Sequence, residues 1–177
     1  MFQRKIVTSL FALFLLTLLP SSASAQDDCN ILFQADDKLL STDHRGFATH
    51  STPTGQTETT ESVMVAGVTY IKVKGIWRKS PITVAELRAQ KDENRKSAKA
   101  ISCKYLRDES VSGEAARVFS GHYESDDDKS DVTTWISKSH GLPLRQEQDI
   151  DTGGGPAGKM HYSVRYEYTN VPAPPVQ

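Results

Sequence analysis

Apolar residues recur along the chain with two different periods, which predict helices and strands in a defined order. Between residues 28 and 40 they fall at helical spacing, at Ile31, Leu32, Ala35 and Leu39. Asp27 or Asp28 can cap the first turn of this helix. The period then changes, and "HRGFATHST" and "QTETTESVMVAG", separated by the turn signal "PTGQ", are predicted to be the first two strands.

The next stretch, "VTYIKVKGIW", alternates between apolar and polar residues and is predicted to form one strand with a solvent-facing side. Ile71, Val73 and Trp77 are placed on one face of this strand. The opposite face then carries Tyr70, Lys72 and Lys74.

A second helix is predicted to begin after Thr83. Thr83 and Glu86 have the T-x-x-E spacing of a capping box, and Ile82 and Leu87 occupy the positions of a hydrophobic staple. Beyond Leu87, "RAQKDENRKSAKA" has almost no apolar stripe. We therefore expect only the first turn of this helix to dock firmly and the rest to be partly mobile.

Five more strands are predicted in the second half of the chain. They are "ISCKYLRDESV", "EAARVFSGHYE", "DVTTWISKS", "LPLRQEQDID" and "KMHYSVRYEYTN", each bounded by a turn rich in Gly, Pro or Asp. In the last of them the apolar face carries Tyr162, Val164, Tyr166 and Tyr168. The order of elements predicts an α+β fold, with helices gathered on one face of a single curved antiparallel sheet.

The N-terminus has the pattern of a secretory signal peptide. Arg4 and Lys5 precede an apolar run from Ile6 to Leu19, and Ala23-Ser24-Ala25 gives a small-x-small cleavage site. The run is shorter than the roughly 20 residues that a membrane-spanning helix needs, although a retained anchor helix is the alternative. Residues 1–25 are therefore predicted to be a signal peptide, 26–170 a single domain in the periplasm, and 171–177 a Pro-rich extended tail.

The two cysteines of the chain are predicted to form a disulfide. Cys29 follows Gln26-Asp27-Asp28, which lacks the small and apolar residues that precede a lipid-modified cysteine. Pairing of Cys29 with Cys103 fits an oxidising compartment and would stabilise the fold by roughly 4 kcal/mol in the chain-entropy model. Two free thiols or an intermolecular pair are the alternatives.

Charge and composition narrow the range of partners. The formal net charge is −1, and removal of Arg4 and Lys5 with the signal peptide makes the chain more acidic. This balance argues against a nucleic-acid partner, because such proteins usually present a basic face. We expect a monomer with no membrane span.

No pattern of catalytic or metal-binding residues stands out, and we predict no metal, cofactor or catalytic site. The histidines lack ligand spacing, the acidic run at 126–128 lacks the rest of an EF-hand, and "DTGGGPAG" lacks the Lys-Ser/Thr of a phosphate loop. No serine has the G-x-S-x-G context of a hydrolase. The rival hypothesis is an enzyme whose acid or base lies among His122, Glu124 and His161, should neighbouring strands bring them into one cleft.

Large apolar side chains could line a ligand cavity under the helices or simply fill the core of the domain. The candidates for a ligand-binding role are Ile71, Val73, Trp77, Leu87, Phe119, Trp135, Tyr162 and Tyr166. A structural or protein-interaction module with a filled core is the alternative to a ligand-binding protein.

The stretch "VTTWISKSHGLPLRQE", followed by "RYEYTNVPAP", resembles exported proteins of the LolA/LolB-like superfamily, the outer-membrane lipoprotein carriers and their relatives. The resemblance extends in element order from the N-terminal helix to the Pro-rich tail. It implies a half-barrel of antiparallel strands with helices covering the concave face, enclosing a hydrophobic cavity for lipid or lipoprotein acyl chains. It also implies a cavity arginine, for which Arg45, Arg78 and Arg117 are candidates.

Overall fold

The computed structural model describes residues 23–51, 54 and 56–176, with side chains from Gln26 onward. Most of the predicted signal peptide, residues 1–22, and the last residue of the tail lie outside this range. Within the described residues, no helix is both long and apolar enough to cross a membrane.

The described chain forms two α-helices and nine strands. The helices are α1 (Ala23–Leu39) and α2 (Val84–Ser97). The strands are β1 (His44–Ser51), β2 (Thr57–Val65), β3 (Val68–Val73), β4 (Ile76–Lys79), β5 (Ala100–Val111), β6 (Glu114–Glu124), β7 (Lys129–Ser137), β8 (Pro143–Asp151) and β9 (Lys159–Glu167). A short 3-10 turn, Gly155–Gly158, precedes β9.

All nine strands belong to one antiparallel sheet with the order β4-β3-β2-β1-β9-β8-β7-β6-β5. Two meanders, β1–β4 and β5–β9, are joined by the pairing of β1 with β9. The sheet is open, with β4 and β5 at its edges, and does not close into a barrel. The predicted α+β fold is confirmed, and the open sheet is consistent with a half-barrel.

The prediction of one continuous strand over "VTYIKVKGIW" is wrong, because a hairpin divides it. Lys74 and Gly75 have positive φ angles of 50° and 82°, as a two-residue hairpin turn requires. The turn pairs Trp77 with Lys72. Trp77 therefore shares a face with Lys72 and not with Ile71, because the turn reverses the parity that a single strand would keep.

Both faces of the sheet carry buried apolar residues. On the face that α1 covers, called the helix-covered face below, the core cluster consists of Leu32, Ala35, Cys103, Phe119 and Ile136. A second cluster contains Ala116, Val118, Trp135 and Leu144. Because side chains alternate along a strand, Val118 and Trp135 lie on the other side of the sheet from Phe119, which we call the opposite face.

α1 is fastened to the edge strand β5 by a covalent bond and a hydrogen bond. Cys29 and Cys103 form the predicted disulfide, with Cα atoms 5.0 Å apart. The Asp28 carboxylate accepts a hydrogen bond from the Tyr105 backbone N–H at 2.8 Å. This contact lies at a β-bulge between Tyr105 and Arg107, where the register of β5 shifts against β6. The N-terminal helix is thus held over the end of the sheet.

The capping box that begins α2 is confirmed. Thr83 Oγ1 accepts a hydrogen bond from the Glu86 N–H at 3.2 Å, and Glu86 Oε2 accepts one from the Thr83 N–H at 2.7 Å. However, no residue of α2 is buried, and Ile82 of the predicted staple is 48% exposed. The expectation that the first turn docks firmly is therefore not met.

Candidate functional site

A cavity of about 460 Å³ lies between the two helices and the helix-covered face of the sheet. Its apolar lining comes from α1 and from strands β5, β7 and β9: Leu32, Phe33, Ile101, Cys103, Val132 and Val164. Its polar lining is as extensive and includes Ser130, Thr134, Gln146, Gln148 and Tyr162. The cavity is therefore amphipathic and not the uniformly hydrophobic one that the family resemblance implies.

α1 forms one wall of the cavity with a single side of the helix. Leu32, Phe33 and Asp36 all line it, and their spacing places them on adjacent turns. Cys103 lines the cavity beside them, so the disulfide from Cys29 fixes this wall against β5.

α2 forms the second wall and is held by polar contacts from its later turns. Lys91 Nζ lies 3.1 Å from Asp36 Oδ2, and Arg95 Nη2 lies 3.1 Å from Asp37 Oδ1. The Arg95 guanidinium also stacks 4.5 Å from the centre of the Phe33 ring. These ion pairs are partly exposed, so each is worth only about 0–1 kcal/mol. The wall is thus weakly attached.

The sheet supplies the floor in two rows of side chains. Strand pairing sets Thr134, Gln146 and Val164 side by side in one row. The next row contains Val132, Gln148 and Tyr162. Each row crosses β7, β8 and β9, so three consecutive strands of the second meander build the floor.

Gln146 links the floor to α1 and to the last strand. Its amide Nε2 donates to Asp36 Oδ1 at 3.3 Å, and its Oε1 accepts a hydrogen bond from the Tyr166 hydroxyl at 2.8 Å. Asp36 therefore contacts both the floor and, through Lys91, the α2 wall.

Gly121 gives the cavity part of its depth. A Cβ atom added at this position would lie 2.9 Å from Val132 Cγ1 and 3.6 Å from Leu32 Cδ1. The first distance is shorter than two carbon atoms tolerate, so a larger residue would have to displace the Val132 side chain of the floor.

Next to the floor, three buried aromatic rings stay uncharged. Burial raises the pKa values of the Tyr166 and Tyr168 hydroxyls far above their ordinary range. Burial also lowers the pKa of His44, although its hydrogen bond to the Thr42 carbonyl opposes this shift. His44 packs edge-on against Tyr166, with ring centres 5.7 Å apart. These three rings therefore carry no charge of their own at neutral pH.

Of the eight predicted ligand-binding residues, the structure places Tyr162 in the cavity lining. Phe119 is buried in the core cluster under α1, and Tyr166 bonds to Gln146 beside the floor. Trp77 and Trp135 lie on the opposite face, where Lys72 and Arg145 stack on their rings.

The remaining three predicted residues lie elsewhere on the fold. Ile71 and Val73 belong to β3 near the edge of the sheet, where Val73 is 47% exposed. Leu87 is half-buried on α2 and does not line the cavity.

None of the three candidate arginines lines the cavity. Arg45 pairs with Glu61, Arg78 is exposed on β4, and the Arg117 guanidinium stacks over Phe119. The arginine that does line it is Arg95 of α2. A signal for it existed in the sequence, because Lys91 and Arg95 lie four residues apart and match the adjacent acidic pair Asp36 and Asp37 of α1 in charge.

Histidine and aspartate residues form a row on the opposite face. His122, Asp131, Asp149 and His161 are register partners across β6 to β9, and each histidine Nδ1 lies 2.8 Å from its neighbouring aspartate. Both carboxylates are more than three-quarters exposed. Glu124 lies in the next row and pairs with Lys129 instead.

Across the described residues, no group of three or more His, Cys, Asp or Glu side chains is arranged to hold a metal ion.

A polar cluster around the buried Ser137 occupies the turn between β7 and β8. Glu114 Oε1 accepts hydrogen bonds from the hydroxyls of Ser137 and Ser139 and lies 2.9 Å from His140 Nε2. These bonds, led by the one from Ser137, lower the pKa of the Glu114 carboxyl. Ser137 is fully buried and bonded to the carboxylate, not to the imidazole. The cluster therefore stabilises the turn and lacks the serine–histidine contact of a hydrolase.

Comparison with known proteins finds likeness in fold only. No protein-family model matches the sequence, and no curated protein matches it. Among solved structures, the chain is similar to MucB in complex with MucA(peri), with 16% identity and a TM-score of 0.44 over 84% of this chain. The chain spans 57% of the length of that protein.

Two other similar structures are matched over nearly their whole length. The lipoprotein LppX of Mycobacterium tuberculosis is 11% identical, with a TM-score of 0.46 over 83% of this chain and 98% of its own. The LolA superfamily protein NE2245 from Nitrosomonas europaea is 10% identical, with a TM-score of 0.29 over 84% of this chain and 94% of its own. The second of these carries the name of the superfamily that the sequence resembles.

Proposed function

We propose that this chain is an exported, periplasmic protein that binds a hydrophobic ligand, a lipid or a lipoprotein acyl chain, in the cavity between α1, α2 and the sheet. The observation that carries the proposal is the cavity itself, about 460 Å³ of space between the two helices and the helix-covered face of the sheet. The proposal assigns no catalytic chemistry to the protein.

The apolar lining supplies the driving force for binding. Phe33 and Leu32 on one wall and Val132 and Val164 on the floor offer apolar surface to an acyl chain. Each methylene that such a chain buries contributes about 0.8 kcal/mol. A chain of about ten methylenes therefore contributes enough to offset the cost of ordering the ligand and the α2 wall.

The weak attachment of α2 provides a route of entry. Since no residue of α2 is buried, moving the helix away exposes no core of its own. The contacts that would break are the ion pairs of Lys91 and Arg95 and the hydrogen bond from the Tyr123 hydroxyl to the Asn94 carbonyl. Bonds to water can replace these polar contacts, and the stacking of Arg95 on the Phe33 ring is the one further contact described above that would be lost.

Titration with the fluorescent fatty acid parinaric acid tests the proposal, together with native mass spectrometry of protein purified from a periplasm. An external probe is needed because Trp77 and Trp135 lie on the opposite face, away from the cavity. Val164→Phe should fill the floor and weaken binding of the probe. Ser163→Phe is the matched control, because Ser163 is the preceding residue of β9 and lies on the opposite face.

The expected result is a saturable signal that Val164→Phe reduces and Ser163→Phe leaves unchanged. If no lipid co-purifies and the probe does not saturate, the protein is instead a structural or protein-interaction module. Equal effects of the two substitutions would place any bound lipid outside the cavity.

A further inference from the structure

We propose that the preferred ligand carries a neutral carbonyl linkage, an amide or an ester next to its acyl chain, which hydrogen-bonds to Thr134 and Gln148 on the cavity floor. This inference rests on the proposed function and specifies the chemical class of its ligand.

The first observation is an unpaired hydroxyl. Thr134 is only 2% exposed, and its Oγ1 has no hydrogen-bond partner within the described part of the chain. Buried hydroxyls in folded proteins almost always have a partner, because leaving one unpaired forfeits the bonds it makes in water. Thr134 lines the cavity, so a bound molecule can supply the missing bond.

The second observation is that neighbouring polar groups are also free. Gln148 is half-buried in the next row of the floor, and its side-chain amide has no hydrogen bond to the residues that the structure describes. The same holds for the hydroxyls of Tyr162 and Ser130, both of which line the cavity. Thr134 and Gln148 belong to adjacent rows, which are about 7 Å apart along a strand. Together these groups form a strip of neutral donors and acceptors.

The third observation concerns charge. The basic residues of the lining, Lys91 and Arg95, are paired with Asp36 and Asp37. Asp128 accepts a hydrogen bond from the Ser125 hydroxyl at 2.5 Å. A ligand carboxylate would lose water without gaining a free cation as its partner, which is unfavourable. A neutral carbonyl can accept from the Thr134 hydroxyl and the Gln148 amide without that loss, while its acyl chain packs on the apolar wall.

Competition against bound parinaric acid tests this with three ligands of equal chain length: N-dodecanoyl alaninamide, monododecanoyl glycerol and dodecanoate. We expect both neutral compounds to displace the probe at lower concentration than dodecanoate. Thr134→Val removes the hydroxyl and keeps the shape of the side chain. It should lower the affinity for both neutral compounds roughly three- to tenfold and leave the affinity for dodecanoate unchanged. Thr133→Val, on the opposite face, should change none of the three.

The two neutral compounds distinguish the sources of the linkage. Tighter binding of the alaninamide indicates an acylated peptide, and tighter binding of the glycerol ester indicates a neutral lipid. Gln148→Leu should reproduce the pattern of Thr134→Val and replaces it if that variant does not fold.

Two results would overturn the inference while leaving the proposed function intact. In the first, dodecanoate binds as tightly as the neutral compounds. In the second, Thr134→Val lowers the affinity for all three compounds equally. Failure of the probe to saturate the wild-type protein, with no lipid co-purifying from the periplasm, would instead overturn the proposed function, and the inference with it.

Discussion

Lys91 Nζ lies 3.1 Å from Asp36 Oδ2, and this ion pair joins α2 to the helix on the other side of the cavity. Gln146 holds the second oxygen of the same carboxylate from the floor. One aspartate thus connects both walls and the floor. Because α2 is joined to this aspartate only by a partly exposed ion pair, the attachment of α2 can be weakened without unfolding the rest of the protein.

The first prediction concerns α2. Lys91→Met with Arg95→Met keeps much of the apolar side-chain length and removes both ion pairs to α1. We expect parinaric acid to enter and leave faster in stopped-flow fluorescence, while the free energy of unfolding falls by no more than about 1–2 kcal/mol. Lys99→Met is the control, because its ion pair with Asp126 lies outside the cavity lining. Unchanged rates in the double variant would show that α2 does not control access.

The second prediction concerns the disulfide. Cys29 and Cys103 are 74 residues apart, so replacing both with serine should lower the free energy of unfolding by about 4 kcal/mol in the chain-entropy model. Urea unfolding followed by circular dichroism measures the change. Reductant should destabilise the wild type by a similar amount and leave the double variant unaffected. Two alkylatable thiols in the native, oxidised protein would contradict the pairing.

The third prediction is a pH dependence due to His44. Its folded-state pKa lies below the ordinary 6.5 because of burial, so the unfolded chain binds a proton that the folded chain does not. The contribution of His44 to the free energy of unfolding should therefore be full above pH 6.5 and be lost as the pH falls below 6.5 through the lowered folded-state pKa. In His44→Asn the new side chain can still donate to the Thr42 carbonyl but does not titrate. The variant protein should therefore be less stable at pH 7.5, and its free energy of unfolding should depend less on pH. An equally steep decline in the variant would assign the effect to another group.

The fourth prediction concerns the turn between β7 and β8. The Ser137 hydroxyl bonds to Glu114 and accepts from the backbone N–H groups of Ser139 and His140, each at 3.2 Å. Ser137→Ala removes all of these bonds, and because the partners are partly exposed to water, the free energy of unfolding should fall by about 1 kcal/mol. Ser139→Ala, at an exposed position with one bond to the same carboxylate, should cost less. Thermal unfolding of both variants gives the comparison.

Most elements could be predicted from sequence because their apolar residues repeat with a clear period. The capping box at Thr83 specified the start of α2, and the alternation of Tyr162, Val164 and Tyr166 specified one face of β9. These signals come from residues close together in the sequence, so they can be interpreted without knowing the order of the strands.

The hairpin at Lys74 and Gly75 was missed for a physical reason. A two-residue turn makes Val73 and Ile76 partners on one face, although their sequence spacing is that of opposite faces in a continuous strand. The alternation of apolar and polar residues by itself cannot show that the residues after the turn have changed faces.

The cavity could be predicted only in outline. Thr134, Trp135 and Ile136 are all buried, because both faces of β7 are covered, and no alternation remains to assign Trp135 to a face. The polar floor depends on which strands are neighbours. The α2 wall depends on charges more than fifty residues apart, such as Lys91 and Asp36 at a separation of 55. Neither relationship is visible in a local pattern.

The pairing of β1 with β9 has a consequence for the order in which the molecule is completed. β9 is the last strand to leave a ribosome or a secretion channel, yet it lies in the middle of the sheet between β1 and β8. Until β9 is added, β1 is an edge strand of the first meander and β8 is an edge strand of the second. Both edges are then unpaired and can pair with strands of other molecules. β9 is thus the strand that joins the two meanders. Among the described elements, a chain cut before Lys159 would keep both α-helices and the other eight strands but lose the pairing between the meanders, so only the contacts of α1, with the Cys29–Cys103 disulfide among them, would connect its halves.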